Sequence, residues 1–278
     1  RISSGEGTRH LAAKAAERAL KAAGVAPEEI DIIILGTSSP DRNYPSDACS
    51  VQAAIGAVNA VAFDISAACA GFIFAMNIVE GFFKAGIYKT ALIIGAETLS
   101  KVTDWNDRGT CVLFGDGAGA AVLKAEETGI IDMMMGADGT KGDVLACTSR
   151  TVGNFLTGTK PELGFMTMDG QEVFKFAVRK VPESVLELLS RTGTKKEDIK
   201  YYVLHQANER IIEAAARRLK EPMEKFPMTI GQFGNTSTAS IPLLLDDMIR
   251  KDMLKRGDKI IMSGFGAGMT WGAVLMEW

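Results

Sequence analysis

The sequence ALKAAGVAPEEIDIIILGT, residues 19–37, returns in outline as LLSRTGTKKEDIKYYVLHQ, residues 188–206. In each stretch a helical pattern ends at a glycine, Gly24 or Gly193, because glycine readily adopts the left-handed conformation found at helix C-termini. An acidic turn and a short apolar run follow each glycine, and the two glycines are 193 − 24 = 169 residues apart. The pattern predicts a duplicated unit of helix, turn and buried strand.

The repeat continues in two further pairs of segments. A strand, a turn and a long apolar helix are predicted over residues 63–85, with a second copy that begins near Phe226. The run ALIIG from Ala91 matches KIIMSG from Lys259. Short apolar runs without alternation are typical of strands buried on both faces of a parallel sheet, and the helical patterns between them complete βα units.

Two fused α/β halves explain this duplication, and we predict them over residues 1–160 and 161–278. The last strand of the first half is predicted at Val112–Phe114, directly before the glycine-rich run GDGAG. Thr140–Leu163 has weak periodicity and several Gly and Thr residues, which predicts a loop-rich connector between the halves.

Composition restricts the class of protein. The 278 residues are 47% hydrophobic and 23% charged, as in ordinary globular chains, and the net charge of −3 gives no reason to expect nucleic acid as a partner. The most apolar stretch, Ile65–Val79, is too short to cross a bilayer, so no membrane span is expected. The four cysteines lack the spacing of a zinc site or a disulfide framework, which predicts no metal and favours reduced thiols in the cytoplasm.

Cys69 is the candidate nucleophile. It lies in FDISAACAGF, residues 63–72, where an apolar strand passes through small residues into a helix. Small residues permit a tight turn that brings the sulfur to the first N–H groups of the helix, and these groups favour the thiolate. Most free cysteines are instead small buried hydrophobes, so this motif alone leaves both interpretations open.

Only two histidines are available as partners. His10 lies on an amphipathic N-terminal helix, whereas His205 ends the apolar strand Tyr201–Leu204, and ligands gather at the carboxyl ends of parallel strands. Asn235 opens the matching strand-to-helix junction of the second half. The repeat therefore predicts that Cys69, His205 and Asn235 meet; a core histidine and a helix-capping asparagine are the alternatives.

At this point the chain resembles the β-ketoacyl-acyl-carrier-protein synthase III family of condensing enzymes. The resemblance covers almost the whole chain and is carried by six motifs in the family's order: SAACAGF from Ser66, DWNDRGT from Asp104, FGDGAGA from Phe114, HQAN from His205, FGNTS from Phe233 and GFGAGMTWG from Gly264. It implies a thiolase-like fold of two duplicated halves in αβαβα layers.

The resemblance also implies a reaction. An acyl group, with acetyl as the expected primer, would pass from acyl-coenzyme A to Cys69 and condense with malonyl-acyl-carrier protein as CO2 leaves. His205 and Asn235 would donate hydrogen bonds to the malonyl thioester oxygen, where negative charge develops. Acyl-coenzyme A is a substrate here, and no further cofactor is expected.

Further site residues follow from the resemblance, one position at a time. The oxyanion hole would use the backbone N–H groups of Cys69 and Ala267, and Phe265 would assist decarboxylation. The remaining residues contact the substrates or a partner chain: Arg108, Asn208 and Gln171 for coenzyme A and its pantetheine arm (the family often has Asn in place of Gln171), Tyr44 for the acyl pocket across a homodimer, and Arg210, Arg217 and Arg218 for the acidic carrier protein. The family begins with a segment that nothing here matches, so we expect the natural protein to be longer.

Related activities fit the motifs less well. Elongating synthases need a second active-site histidine, thiolases need a second cysteine near the last glycine loop, and type III polyketide synthases are longer. A priming ketosynthase or acyltransferase of a polyketide pathway shares every catalytic residue and is the main alternative. A silent module on the same fold and a cysteine hydrolase that releases free acid are alternatives of other classes.

Overall fold

The computed structural model describes all 278 residues. Its helices are α1 (Thr8–Ala23), α2 (Asp47–Ile55), α3 (Gly71–Lys84), α4 (Gly170–Thr192), α5 (Glu209–Leu219), α6 (Ile230–Phe233) and α7 (Ser240–Arg250). Its strands are β1 (Ile32–Gly36), β2 (Val61–Ile65), β3 (Thr90–Glu97), β4 (Gly117–Lys124), β5 (Ile130–Ala137), β6 (Leu145–Cys147), β7 (Met166–Met168), β8 (Ile199–Leu204), β9 (Lys259–Gly266) and β10 (Thr270–Glu277). None of the helices is long and apolar enough to pass through a bilayer.

Two four-stranded sheets organise the chain. In the first, with order β2-β1-β3-β4, the first three strands run parallel and β4 pairs antiparallel with β3. In the second, with order β5-β10-β9-β8, β8 and β9 run parallel and β10 is antiparallel to both of its neighbours. β6 and β7 form a separate antiparallel pair.

Alternate residues of the strands enter different layers. In β1, Ile32 and Ile34 pack in a central cluster with α3 and α7, while Ile33 and Leu35 face α1 and α2. The outer face of the second sheet, including Tyr202, packs on α4 and α5. Helices therefore cover both sheets and separate them, and the predicted αβαβα layering is confirmed.

The predicted duplication extends to backbone conformation. Gly24 and Gly193 end their helices with φ of 64° and 65°. β3 and β9 are offset by 259 − 90 = 169 residues at their first positions and by 266 − 97 = 169 at their last. Ala68 and Ser237, also 237 − 68 = 169 apart, both have positive φ, of 45° and 49°. Such angles are uncommon in residues with a side chain, so their recurrence indicates one structural element used twice.

Two local predictions were wrong. Val112–Phe114 is not a strand, because the last strand of the first sheet is the glycine-rich β4. Glycine is needed in β4 since a Cβ on Gly119 would lie 2.8 Å from Cβ of Pro242 in α7. No strand begins near Phe226, where a short 3-10 turn precedes an irregular segment.

The connector and the boundary between the halves also differ from the sequence pattern. The segment predicted as a loop over Thr140–Leu163 contains β6, which pairs with β7. The two sheets divide the chain between Lys124 and Ile130, earlier than residue 160, because β5 hydrogen-bonds to β10 in the second sheet.

Candidate active site

Cys69 lies in the 3-10 turn Ala68–Ala70, between the end of β2 and the start of α3. It is buried, with 6% of its surface exposed. The positive φ of Ala68 is maintained by hydrogen bonds from the second half: Thr238 Oγ1 donates to Ala68 O at 3.0 Å, and Thr270 Oγ1 donates to Ala67 O at 2.9 Å. The candidate nucleophile is therefore held at the joint between the halves.

Burial dominates the acidity of this thiol. It raises the pKa of Cys69 to about 12, a hydrogen bond with the Ser237 side chain opposes the rise, and the nearby carboxyl of Glu97 adds to it. The sequence predicted that helix N–H groups would favour the thiolate. The structure differs because removal of the sulfur from water outweighs that help.

His205 directly follows β8 and is also buried. Its backbone N–H donates to Ser263 O at 2.8 Å, and its ring meets Phe265 edge-on with centroids 5.4 Å apart. The next residue of β9, Gly266, touches the turn of Cys69, since a Cβ there would lie 2.5 Å from Cys69 N. β8 and β9 are neighbouring parallel strands. His205 after β8 and the contact of Gly266 with the Cys69 turn are therefore at the same edge of the sheet.

A hydrogen bond with Ser240 orients the His205 ring. Nδ1 lies 2.6 Å from Ser240 Oγ, which also accepts the backbone N–H of Gln206 at 3.4 Å. A serine hydroxyl has one proton and two lone pairs, so Ser240 can pair with Nδ1 in either tautomer of the ring. Nε2 has no hydrogen-bond partner in the chain, and in the tautomer in which Ser240 donates to Nδ1 it carries the proton and can donate to a substrate oxygen.

Asn235 is fixed through its backbone and its side chain. It forms a parallel bridge with Phe114, receives the N–H of Gly115 at 2.9 Å, and caps the next turn because its Oδ1 accepts Ser237 N at 2.8 Å. Asn235 therefore does act as a cap, which was the alternative interpretation of this residue in the sequence. It also orients the amide so that Nδ2, which has no partner in the chain, is left as a donor.

The predicted oxyanion-hole donors are in suitable surroundings. Neither Cys69 N nor Ala267 N donates to a backbone carbonyl. Position 266, the last of β9, requires glycine, since a side chain there would overlap the backbone of the Cys69 turn. Two unpaired N–H groups next to a buried thiol could stabilise a thioester oxygen as it becomes negative.

Burial lowers the pKa of His205 to about 3 from its usual 6.5. Between these values only the unfolded chain binds the proton, so His205 stabilises the fold above pH 6.5 and loses that contribution as the pH falls toward 3. Relative to His205→Gln, the wild type should therefore lose about 2 kcal/mol more unfolding free energy between about pH 7.5 and about pH 5. Urea unfolding at the two pH values measures this difference, and an equal loss in both proteins would contradict it.

The substrate-contact residues predicted by resemblance lie outside this cluster. Arg108 is exposed in the turn region that follows β3, and Gln171 is exposed in the first turn of α4. Asn208 caps α5, where its Oδ1 accepts Arg210 N at 2.9 Å. Tyr44 is 86% exposed in the loop before α2.

Sequence reasoning missed Ser240, Ser237 and Glu97. Ser240 orients His205, while Ser237 and Glu97 are hydrogen-bonded to each other at 3.0 Å and both influence the thiol. The repeat contained a signal for Glu97. It ends the wholly buried strand β3, at the position where the second copy has Gly266.

Comparisons with known proteins agree with this arrangement. The family model for 3-oxoacyl-[acyl-carrier-protein] synthase III matches residues 63–139, and the model for its C-terminal part matches residues 189–278. The β-ketoacyl-[acyl-carrier-protein] synthase III of Clostridium acetobutylicum is 51% identical over 280 residues, which cover 100% of this chain and 86% of the relative.

Solved structures give the same result. The crystal structure of 3-oxoacyl-[acyl-carrier-protein] synthase III from Aquifex aeolicus has a TM-score of 0.92 and 45% identity over 100% of this chain and 87% of that chain. The priming β-ketosynthase of the R1128 polyketide pathway is more distant, with a TM-score of 0.89 and 34% identity over 100% and 84% of the two chains. The chain therefore belongs to the 3-oxoacyl-[acyl-carrier-protein] synthase III family, and it is an acyltransferase that performs the initiating condensation of fatty acid synthesis.

Proposed function

We propose that Cys69 accepts an acyl group, in the simplest case acetyl, from acyl-coenzyme A and that the bound acyl group then condenses with malonyl-acyl-carrier protein. One observation carries the proposal: a buried thiol lies at the joint of the halves, and His205 Nε2 and Asn235 Nδ2 have no hydrogen-bond partner in the chain and are available to a substrate. The family that the chain belongs to supports the same chemistry.

The roles follow from the bonds that change. The Cys69 sulfur attacks the thioester carbon of acyl-coenzyme A, and the N–H groups of Cys69 and Ala267 stabilise the oxyanion until the coenzyme A thiol leaves. When malonyl thioester loses CO2, His205 Nε2 and Asn235 Nδ2 stabilise the enolate oxygen. The enolate carbon then attacks the acyl-Cys69 carbonyl, which gives 3-ketoacyl-carrier protein and frees the thiol.

Intact-protein mass after incubation with acetyl-coenzyme A tests this function. We expect a single acetyl adduct in the wild type and none in Cys69→Ser under the same conditions, because the serine hydroxyl is a far weaker nucleophile. Addition of malonyl-carrier protein should discharge the adduct into a β-ketoacyl product.

Other outcomes separate the alternatives. Discharge to free acetate without dependence on malonyl thioester would indicate a cysteine hydrolase. Absence of any adduct with acetyl-, longer and branched acyl-coenzyme A would exclude Cys69 as the nucleophile. The polyketide alternative is not favoured, since the relatives named β-ketoacyl- or 3-oxoacyl-[acyl-carrier-protein] synthase III are more similar to this chain than the priming ketosynthase is.

The basic patch on α5 is proposed to bind the carrier protein. Arg210 has no ion-pair partner in the chain, whereas Arg217 pairs with Glu213 and Arg218 with Glu183, both at 3.7 Å. The patch is therefore less positive than its arginines alone would make it.

Reversal of both paired arginines, in Arg217→Glu/Arg218→Glu, should lower the rate with malonyl-carrier protein about tenfold and spare acetylation by acetyl-coenzyme A, because charged surfaces steer charged partners. Arg18→Glu/Lys21→Glu on exposed positions of α1 is the control with the same change in net charge. Equal losses with both substrates, or in both double variants, would contradict the patch.

The remaining contacts are proposals by resemblance. Arg108, Asn208 and Gln171 are assigned to coenzyme A and its pantetheine arm, and all three are at least partly accessible. Phe265, packed edge-on against His205, is assigned to assist decarboxylation by keeping water from the reacting carboxylate.

We also propose a cytoplasmic homodimer in which Tyr44 enters the partner's acyl pocket. The aromatic ring is almost wholly exposed in one chain, and the nearby edge strand β2 leaves Val61 exposed as well. Removal of such surface from water is a common basis for subunit association. Light scattering that gives a monomer mass at every concentration would exclude both the dimer and this role of Tyr44.

A further inference from the structure

Glu97 is a buried carboxyl group at the joint between the halves. It ends β3, none of its surface is exposed, and no Lys or Arg side chain pairs with it. Its two oxygens accept the backbone N–H of Ser38 and contact the hydroxyl groups of four residues: Thr37, Ser39, Ser237 and Thr238. A carboxyl group buried without a cation is costly, so its place near the site requires an explanation.

The hydroxyl group of Thr238 lies between two oxygen atoms. Thr238 Oγ1 is 2.8 Å from Glu97 Oε1 and 3.0 Å from Ala68 O. Both of these oxygens are acceptors when Glu97 is ionised, and a hydroxyl group has only one proton to donate. An ionised Glu97 therefore leaves one of the two contacts without a proton of its own.

A count of protons extends this point to the whole cluster. The four hydroxyl groups make five contacts with acceptor oxygens: Thr37 and Ser39 with Oε2, Ser237 and Thr238 with Oε1, and Thr238 with Ala68 O. Four hydroxyl protons cannot supply one proton to each of five contacts, whereas a proton on Oε1 supplies the fifth. In that arrangement Glu97 donates to Thr238 Oγ1, and Thr238 donates to Ala68 O.

The bond to Ala68 O determines the direction of a neighbouring N–H group. The carbonyl of Ala68 and the N–H of Cys69 belong to one trans peptide group, in which C=O and N–H point in opposite directions. The N–H of Cys69 donates to no backbone carbonyl and is one of the two proposed oxyanion-hole donors. A hydrogen bond from Thr238 to Ala68 O therefore also orients the N–H of Cys69.

Three glycines of the first half leave room for Thr238. A Cβ on Gly36 or Gly71 would lie 2.7 or 2.9 Å from Cγ2 of Thr238, and a Cβ on Gly95 would lie 2.3 Å from its carbonyl oxygen. Thr238 is thus closely packed on the first half at both its side chain and its backbone. This packing holds its hydroxyl group between Glu97 and Ala68.

We propose that Glu97 stays protonated at neutral pH and is a positioning residue for the oxyanion hole, because it holds Thr238 and Thr238 holds the peptide group of Ala68 and Cys69. The inference rests on the proposed role of Cys69 as the nucleophile. The five oxygen contacts that four hydroxyl protons must supply carry it.

The surroundings favour an uncharged Glu97. Burial raises the pKa of Glu97, although the hydrogen bonds to its oxygens oppose the rise. Burial also raises the pKa of Cys69, and a negative charge on Glu97 raises it further, so a protonated Glu97 spares the thiolate this repulsion. Every side chain that hydrogen-bonds to Glu97 is a hydroxyl; the nearby titratable groups are Cys69 in the first turn and Lys101, which donates to Ser39 O and pairs with Asp41.

Urea unfolding of wild type and Glu97→Gln between about pH 5.5 and about pH 7.5 tests the protonation state. Glu97 has its ordinary pKa of 4.5 in the unfolded chain, so over this range only the folded protein would hold the proton, and rising pH would favour unfolding. The unfolding equilibrium constant of wild type, divided by that of Glu97→Gln, should therefore increase about 100-fold. The contribution of His205 cancels because both proteins contain it. A constant ratio would show that Glu97 is ionised and would overturn the proposal.

The rate of Cys69 acetylation by acetyl-coenzyme A tests the positioning role. Thr238→Val keeps the shape of the side chain and removes its hydroxyl, so the maximal rate should fall about tenfold while KM for acetyl-coenzyme A is unchanged. Thr238→Ser restores the hydroxyl and should recover most of the rate. Thr37→Val is the matched control, since it removes a hydroxyl 3.2 Å from the other carboxyl oxygen, Oε2, and should acetylate at close to the wild-type rate.

The two measurements can fail separately. A wild-type rate in Thr238→Val, or equal losses in Thr238→Val and Thr37→Val, would overturn the positioning role. A wild-type protein that forms no adduct at Cys69 would overturn the proposed function and the positioning role with it. The ratio of unfolding constants needs no acyl substrate, so it decides the protonation of Glu97 in either case.

Discussion

Replacement of Asn235 by alanine should lower the rate of decarboxylative condensation by about 100- to 1000-fold while Cys69 is still acetylated, and His205→Ala should do the same. The reason is that Nε2 of His205 and Nδ2 of Asn235 have no partner in the chain and are proposed to donate to the substrate, while neither side chain supplies the attacking electrons. Charge develops on the malonyl thioester oxygen only during decarboxylation, so loss of these donors affects that step. Acetyl transfer and release of CO2 are measured separately by intact mass and by trapping the gas.

Asn235→Asp distinguishes the donor role from the capping role. Aspartate keeps the oxygen that accepts Ser237 N at 2.8 Å but lacks the amide N–H group. We expect Asn235→Asp to condense as poorly as Asn235→Ala, because the lost amide N–H and not the lost cap limits the step. If Asn235→Asp condenses normally, or if both variants lose acetylation as much as condensation, the assignment is wrong.

Gly266→Ala should slow the acetylation of Cys69 by about 100-fold, because an error of about 1 Å in the position of a reacting group has an effect of this size. The added Cβ would lie 2.5 Å from Cys69 N and 3.0 Å from the side chain of Ala68. No side-chain carbon tolerates such contacts, so either β9 or the turn of Cys69 must move. The strain should also lower the free energy of unfolding by about 1–3 kcal/mol.

Gly81→Ala is the control for this substitution. Gly81 lies inside α3, and a Cβ there would have no atom within 4 Å. Alanine favours the helix, so this variant should be more stable by about 0.5–1 kcal/mol and should acetylate normally. Acetylation rate and urea unfolding are measured on both variants. A wild-type acetylation rate in Gly266→Ala would show that close contact between position 266 and the Cys69 turn is not needed for reaction.

The apolar strands and the constant spacing of the two copies predicted two duplicated α/β halves, and the resemblance to the family implied the αβαβα layers. β4 escaped prediction, since a strand built from Gly and Ala carries no apolar run and is recognisable only through the helix that packs against it. β5 was assigned to the wrong side of the boundary because pairing with β10 depends on contacts distant in sequence.

The candidate site, like the fold, was predicted only in part. Cys69, His205 and Asn235 were predicted from motifs and from the repeat, and their roles stay predictions; Cys69 and His205 each follow a strand, whereas Asn235 follows the short helix α6. Their electrostatics could not be predicted, because the helix argument for a thiolate ignores how deeply the sulfur is buried. Glu97 and Ser240 were missed, since the bond of Glu97 to Ser237 joins the two halves and the bond of Ser240 to His205 joins residues 35 positions apart, which no local pattern contains.

The duplicated turns determine how many acyl groups one molecule can hold. A perfect duplication would carry a reactive thiol in each half, but this chain has Thr238 at the position of Cys69 and Gly36 at the position of His205, with 205 − 36 = 169. The second turn is buried and holds the first in place through a hydrogen bond from Thr238 Oγ1 to Ala68 O. We therefore expect one thioester per chain, and neither half separated from the other would contain the full set of predicted reacting groups.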